Sequence, residues 1–488
     1  MSENIPLDFY ISSLPILLLA MGSLVYVLFP SMKGQNQLAY YIFSLLLLGS
    51  SLAALLFVPL NGNYWNGAFL SDGLSFVGNI LLLAVAILLV LLYKESCLAS
   101  RFFSRDSLSL FILSLIGMMV LVSSTDLATL FVGLELSSIG LYVLVGYLSP
   151  SRTSMEGAVK YLILGSFASA FLLFGFGLLY ACSGTMNLAE LAQRTVISSE
   201  LWLQLGIVFS LIGLAFKLAL VPFHMWAPDA YEAAPTGITA FMATSVKIMI
   251  LVVALRLTQG LSLYGEQWNP LIAGLAFLSM VGGNLLALVQ TSMKRMLAYS
   301  SISHSGYMAI VLCALGGRSE LPFQAILFYL IAYTLSSLLA FGTLMWLEDK
   351  EKQNLHLSDL RGLMHNHPWA AFAIAVSMFS FAGMPPTVGF IAKFFVFNAA
   401  IRENLYFLVF AGVAGSIISL YYYLRVIVFM YMQKPSEESA LRINPAGSSF
   451  MSTFVLGLTC AVMLALGTVF PGALLDILKS TATHLLQR

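Results

Sequence analysis

Apolar residues run along this chain in blocks of about twenty, parted by short polar stretches, and the blocks recur every ~25–35 residues. About twenty apolar residues in a helix cover the roughly 30 Å hydrocarbon core of a bilayer. The strands of an outer-membrane barrel would instead show about ten residues of alternating character, and no such stretch is present. Only helices or closed barrels satisfy the backbone in lipid. The pattern therefore predicts an all-α polytopic membrane protein of about fourteen transmembrane helices. They are expected near 10–30, 38–60, 74–93, 108–124, 127–148, 157–182, 203–226, 235–257, 269–290, 296–316, 321–347, 368–398, 403–431 and 450–472. The longest polar connections, 183–202, 348–367 and 432–449, are too short for a separate domain.

Two of these blocks are interrupted. In the seventh, Pro222 stands inside the run that follows Lys217. In the twelfth, Pro385, Pro386 and Gly389 stand inside another, with Lys393 about two turns on. A proline inside a helix removes one backbone hydrogen bond and clashes with the preceding turn. Paired broken helices in two halves of a membrane protein point to inverted repeats around a midplane site. The expected organisation is a three-helix segment at 1–107, five-helix repeats at 108–258 and 269–431, and a final helix and tail at 432–488.

Composition sharpens the picture. Only 9% of the 488 residues are charged, against roughly 25% in a soluble domain. A net charge of +1 suggests no nucleic-acid partner. Basic residues are unevenly shared between alternate loops. One side holds Lys33, Lys94, Arg101, Arg105, Arg152, Lys294, Arg295, Lys350, Lys352, Arg361, Lys434 and Arg442, and the other Arg194, Arg318, Arg402, Lys479 and Arg488. The positive-inside rule makes the first side cytoplasmic and puts both termini opposite it. The start lacks a basic segment, so 10–30 is expected to be a retained span rather than a leader. Cys97, Cys182, Cys313 and Cys460 are far apart and suggest neither a metal site nor a redox pair. No Gly-rich loop after a strand and no haem-spaced histidine pair is visible, so neither cofactor nor metal is expected on this chain.

The candidate chemistry lies in charges buried in oil. A charge at the bilayer centre costs roughly 2.5–3.5 kcal/mol or more, and ionisable groups there usually line ion paths. Lys217 and Lys247 lie deep in their runs. Glu135 is nine residues past Asp126, roughly 13 Å into its helix at 1.5 Å per residue. A desolvated ammonium gives up its proton more readily than one in water, and a nearby carboxylate opposes this. A movement of Glu135 would therefore load or unload Lys217. Lys393 lies near a helix end, where it could also snorkel. Lys160 follows Glu156 at i,i+4, so a structural pair competes with a place in the path. His304 stands in the hydroxyl-rich run Ser300-Ser-Ile-Ser-His-Ser-Gly-Tyr307, where an imidazole titrating near neutrality could relay protons or simply be hydrogen-bonded in the core. His224 is expected to serve backbone groups freed by the first break. Trp226 and Asp229 read as interface anchors, and Tyr421-Tyr-Tyr423 as packing or interface residues.

Three stretches carry a resemblance. Lys217-Leu-Ala-Leu-Val-Pro-Phe-His-Met-Trp-Ala-Pro-Asp-Ala-Tyr, Leu297-Ala-Tyr-Ser-Ser-Ile-Ser-His-Ser-Gly-Tyr and Pro385-Pro-Thr-Val-Gly-Phe-Ile-Ala-Lys-Phe resemble the antiporter-like membrane subunits of respiratory complex I, an NADH:quinone oxidoreductase. Within that group the chain is most similar to the N type. Lysine stands at 247, where the L type usually has histidine, and at 393, where the M type has glutamate, and no long lateral helix follows. The resemblance implies a proton path through Glu135, Lys217, Lys247 and Lys393, with Lys160 and His304 as further members. It implies that NADH, FMN, iron–sulfur clusters and quinone belong to partner subunits. Those partners would be M-type and small quinone-proximal membrane subunits in a bacterial inner membrane. The alternative reading is a subunit of an Mrp-type cation/proton antiporter or of an energy-converting hydrogenase, since both reuse the same fold and lysines.

Overall fold

The structure is a computed structural model that describes residues 7–28, 37–60, 62–65, 67–148, 151–191, 200–261, 265–316, 320–348, 354–435 and 450–468, with a few positions between 471 and 479. Lys33, Arg194, Arg318, Lys350, Lys352, Arg442 and Arg488 lie outside the described residues. The chain opens with α1 (Leu7–Leu28), α2 (Gln37–Leu55), a small antiparallel hairpin of β1 (Gly62–Tyr64) and β2 (Phe69–Ser71), and α3 (Gly73–Tyr93). After the short α4 (Ala99–Phe102) come α5 (Arg105–Val122), α6 (Leu127–Tyr147), α7 (Arg152–Ser183), the single turn α8 (Leu188–Leu191), α9 (Glu200–Lys217), α10 (Trp226–Ala233) and α11 (Thr236–Gly260). The second half holds α12 (Gly265–Leu288), α13 (Met293–Cys313), α14 (Leu321–Leu347), the short α15 (Leu363–Asn366), α16 (Pro368–Ala382), α17 (Val388–Arg402) and α18 (Tyr406–Tyr431), and α19 (Phe450–Thr468) closes it.

Among the described residues, twelve helices are long and apolar enough to cross a bilayer. Every predicted span range contains a helix or, at 203–226 and 368–398, a broken one. The ranges needed correcting at the breaks. The seventh run does not stay helical to 226: α9 stops at Lys217 and α10 resumes at Trp226. The β1–β2 hairpin and the single-turn helices were not predicted, because they are too short to impose a period on the sequence.

Burial explains the weak amphipathicity of the central helices. α11 and nearly all of α14 are buried, and a helix buried all round is apolar all round. The polar groups they carry therefore face protein, not lipid. Close backbone approach holds neighbours together. A Cβ on Gly117 of α5 would meet the Ser137 nitrogen of α6 at 2.4 Å, the small-residue contact common between membrane helices. The N-terminal segment is tied to the first half by a buried ion pair. Asp72 caps α3 through the Ser75 N–H (2.8 Å) and accepts two bonds from Arg256 of α11, at 2.9 and 3.1 Å. Burial pushes the Asp72 carboxyl up, but Arg256 and Ser75 together hold it below its ordinary value.

Candidate functional site

At the first break side chains and neighbouring backbone together satisfy the interrupted helix, the Leu220 N–H for example bonding the Ala215 carbonyl (2.8 Å). The Trp226 indole N–H donates to the Phe216 carbonyl (2.8 Å), the Ser305 hydroxyl to the Leu218 carbonyl (2.7 Å), and the Val221 N–H to Ser279 Oγ of α12 (2.9 Å). A buried orphan would cost about 1–3 kcal/mol, so these bonds let the helix stay open inside the bundle. Lys217 is the last residue of α9 and only 3% exposed. Its ammonium lies near the negative end of the helix. It donates to Ser138 Oγ (2.7 Å) and Tyr142 OH (3.1 Å) on α6 and sits 5.3 Å from the Tyr142 ring centroid.

Ser305 joins this break to the next lysine. Lys247 of α11 donates to Ser305 Oγ and to the Ser301 carbonyl, and lies 4.7 Å from the centroid of the Tyr333 ring. One hydroxyl thus touches both the Leu218 carbonyl beside Lys217 and the Lys247 ammonium. From there polar contacts run along α13. Tyr333 donates to Ser301 Oγ (2.9 Å), and His304 is hydrogen-bonded through Nδ1 to Tyr329 OH (2.6 Å) and through Nε2 to Tyr423 OH (3.2 Å). Tyr423 is also hydrogen-bonded to Ser300. A cavity of about 10 Å³ beside His304 is lined by Tyr329, Tyr333, Ser336, Ser380 and Gly389, which is about the space one water needs.

The second break lies beyond this cavity. α16 ends at Ala382, Gly383 turns the chain with φ +78°, and α17 starts at Val388. Lys393 of α17 is 6% exposed and reaches back to the Ala382 carbonyl (3.0 Å), the C-terminal end of α16. Its ammonium is 5.1 Å from the Tyr307 ring centroid. Among the described residues, none of Lys217, Lys247 and Lys393 has a carboxylate within 4.0 Å.

Residues 124–419 match the family described as NADH:quinone oxidoreductase/Mrp antiporter, transmembrane. The chain is 36% identical over 98% of its length to NADH-quinone oxidoreductase subunit N of Methylovorus glucosotrophus, covering 99% of that protein. It is 38% identical to the subunit N of Nitrosomonas europaea, over 92% of each chain. The chain belongs to the subunit N family of NADH-quinone oxidoreductase. A chain of respiratory complex I from Thermus thermophilus shares its fold with TM-score 0.81 at 32% identity, over 95% of this chain and 98% of that one. A chain of the Mrp complex from Dietzia, at 19% identity and TM-score 0.79 over 99% of each chain, shares the fold alone.

Within this subunit N family fold, the sequence-predicted residues do not all converge. Lys217, Lys247, His304 and Lys393 share the buried axis. Glu135 does not pair with Lys217. It lies on the same face of α6 as Ser138 and Tyr142, one and two turns before them, and its buried Oε1 has no hydrogen-bond partner among the described residues. Lys160 stands apart, half exposed and paired with Glu156 (2.7 Å) and Asp229 (3.0 Å). Asp229 also binds Arg295 (2.8 Å), so it is a bridge rather than an interface anchor. Trp226 is 2% exposed and folded inward. Tyr421 is exposed, but Tyr423 is buried on His304. Lys294, expected in a loop, is 2% exposed. The tyrosines 307, 329, 333 and 423 were missed as site residues, because apolar runs containing tyrosine look alike whether the ring packs or binds.

Proposed function

We propose that this chain is the proton-translocating N-type membrane subunit of an NADH:quinone oxidoreductase, moving protons while partner subunits hold the redox centres and oxidise NADH. The observation that carries the reading is the buried line Lys217, Ser305, Lys247, His304, Lys393. Each cation rests on hydroxyls and carbonyls without a counter-charge in contact, so each can change protonation without leaving a stranded carboxylate. Protons enter from the cytoplasmic side and pass along the line through hydroxyls and water. Glu135, one turn from the Lys217 contacts and unpaired, couples the line to a neighbouring subunit. Lys160 is held as a surface tie in this reading.

The same reading keeps fourteen spans, two inverted five-helix repeats at 108–258 and 269–431 between the segments 1–107 and 432–488, and periplasmic termini in a bacterial inner membrane. The two broken helices, one in each proposed repeat, support it. M-type and small quinone-proximal subunits are the expected neighbours. In reconstituted complexes, Lys217→Ala and Lys247→Ala should each lower proton translocation about a hundredfold, read as the pH gradient formed per NADH oxidised. Undiminished pumping in either variant takes that lysine out of the path.

A further inference from the structure

A second buried ionisable pair lies outside the line of lysines. Lys294, the second residue of α13, and Glu348, which caps the C-terminus of α14, are each 3% exposed at the side chain, with Nζ and Oε1 3.8 Å apart. Lys294 also donates to the Ala234 carbonyl (2.9 Å), which ends α10. Glu348 accepts from the hydroxyl of Thr236, the first residue of α11. This pair is built differently from Asp72–Arg256, whose two short bonds make a clamp. A separation of 3.8 Å is beyond hydrogen-bond distance, and a buried ion pair is weak grounds for stability.

Its place in the bundle is more informative. The three helices that meet here are those that build the Lys247 site: α11 supplies Lys247, α13 supplies Ser301 and Ser305, and α14 supplies Tyr333. From Thr236 to Lys247 is about 16 Å along α11, and from Lys294 to Ser301 about 10 Å along α13, at 1.5 Å per residue. Ser337 lies one turn from Tyr333 toward Glu348, and its buried hydroxyl has no hydrogen-bond partner among the described residues. Lys294 from α13 and Thr236 from α11 act on Glu348, Glu348 in turn acts on the buried Tyr93 hydroxyl of α3, and Glu232 of α10 and Cys97 act on Lys294. Burial pushes the Glu348 carboxyl up to about 7, against the pull of Lys294 and Thr236.

We propose that Lys294 and Glu348 form a proton-loading station for Lys247, fed from the face of the bundle where His356 bridges Ser292 at the start of α13. This rests on the reading that Lys247 carries protons. The Glu348 carboxylate takes a proton from a hydronium at that face and leaves water. The carboxylic acid then passes the proton along the α11–α13–α14 seam to the neutral amine of Lys247, which becomes an ammonium as Glu348 returns to carboxylate. Lys294 keeps its proton throughout and holds the emptied Glu348 in its charged form.

The test uses the whole complex in proteoliposomes and compares E348Q, E348D and the double variant K294M/E348Q with K247A. E348Q should lower translocation about tenfold or more and flatten its pH dependence around neutrality, E348D should restore most of both, and the double variant should stay impaired. A purely structural pair makes the opposite forecast, because removing both charges leaves none stranded. Normal pumping in K294M/E348Q therefore overturns the proposal. If E348Q does not assemble, T236V decides in its place, since removing the hydroxyl bonded to Glu348 shifts the pH profile of a loading station and leaves that of a structural tie unmoved. Loss of pumping in K247A beside normal pumping in K294M/E348Q refutes the station alone, whereas normal pumping in K247A refutes the proton path on which it rests.

Discussion

The two helix breaks look alike in sequence, each a proline-marked interruption with a lysine nearby, yet they hold their lysines in different ways. At the first, Lys217 ends the leading half-helix and turns to hydroxyls on a neighbour, Ser138 and Tyr142, with the carboxylate of Glu135 one turn further along. At the second, Lys393 sits in the trailing half-helix and turns back to the Ala382 carbonyl of its own broken span. Both ammoniums therefore lie at a helix C-terminus, where the backbone dipole favours a cation. Only the first has side-chain partners that a movement of α6 could withdraw. The first break is tunable from outside, and the second is fixed by backbone.

The backbone character of the second break sets the largest expected effect. Gly389 of α17 lies so close to α16 that a Cβ there would stand 1.9 Å from the Ser380 carbonyl oxygen. That neighbour is main chain and cannot rotate away. Gly389→Ala should cost about 3 kcal/mol, seen as a lower melting temperature of the purified complex. It should also push α17, and Lys393 with it, off the Ala382 carbonyl. An unchanged melting temperature would mean that the two half-helices do not pack as closely as described.

The first break is closed by side chains, so its corresponding weakness is milder. Trp226 stacks on Tyr161 with centroids 4.4 Å apart and donates its indole N–H to the Phe216 carbonyl. Trp226→Phe keeps a ring but removes one of two donors from that carbonyl, which still accepts from the Ala219 N–H (2.9 Å), for an expected loss of about 1 kcal/mol in denaturant or thermal unfolding of the complex. A loss as large as that of Gly389→Ala would erase the distinction between the two breaks.

What could be read from the chain before any coordinates follows from the same physics. Lys217, Lys247 and Lys393 stood out because a cation inside a long apolar run has few benign explanations. Lys294, Glu348, Asp72 and Arg256 did not, since each lies within a few residues of a predicted span end or loop, where charges normally meet water. Trp226 was misplaced for a related reason. A tryptophan at a span end usually marks the interface, but the break turns this one inward. That Lys217 takes Ser138 and Tyr142 rather than Glu135 was also beyond reach, because the spacing of Glu135, Ser138 and Tyr142 puts all three on one helix face without saying which of them the lysine takes.

The smallest expected effect tests the tunable break directly. Ser138→Ala removes one of two hydroxyl partners from Lys217 and leaves Tyr142 in place. A single hydrogen bond to a charged group is worth about 1.5–3 kcal/mol in general, less where water can replace the partner, so the effect on translocation should be about fivefold. Its sign is informative when Glu135→Gln is added. If the ammonium moves along the α6 face toward Glu135 once Ser138 Oγ is gone, the double variant will fall well below the product of the two single effects. A double variant equal to the product of the two single effects would instead mean that Glu135 never exchanges with Ser138 for the lysine. No comparable side-chain substitution exists at the second break, where the acceptor is the Ala382 carbonyl and Ala382→Gly leaves that oxygen in place.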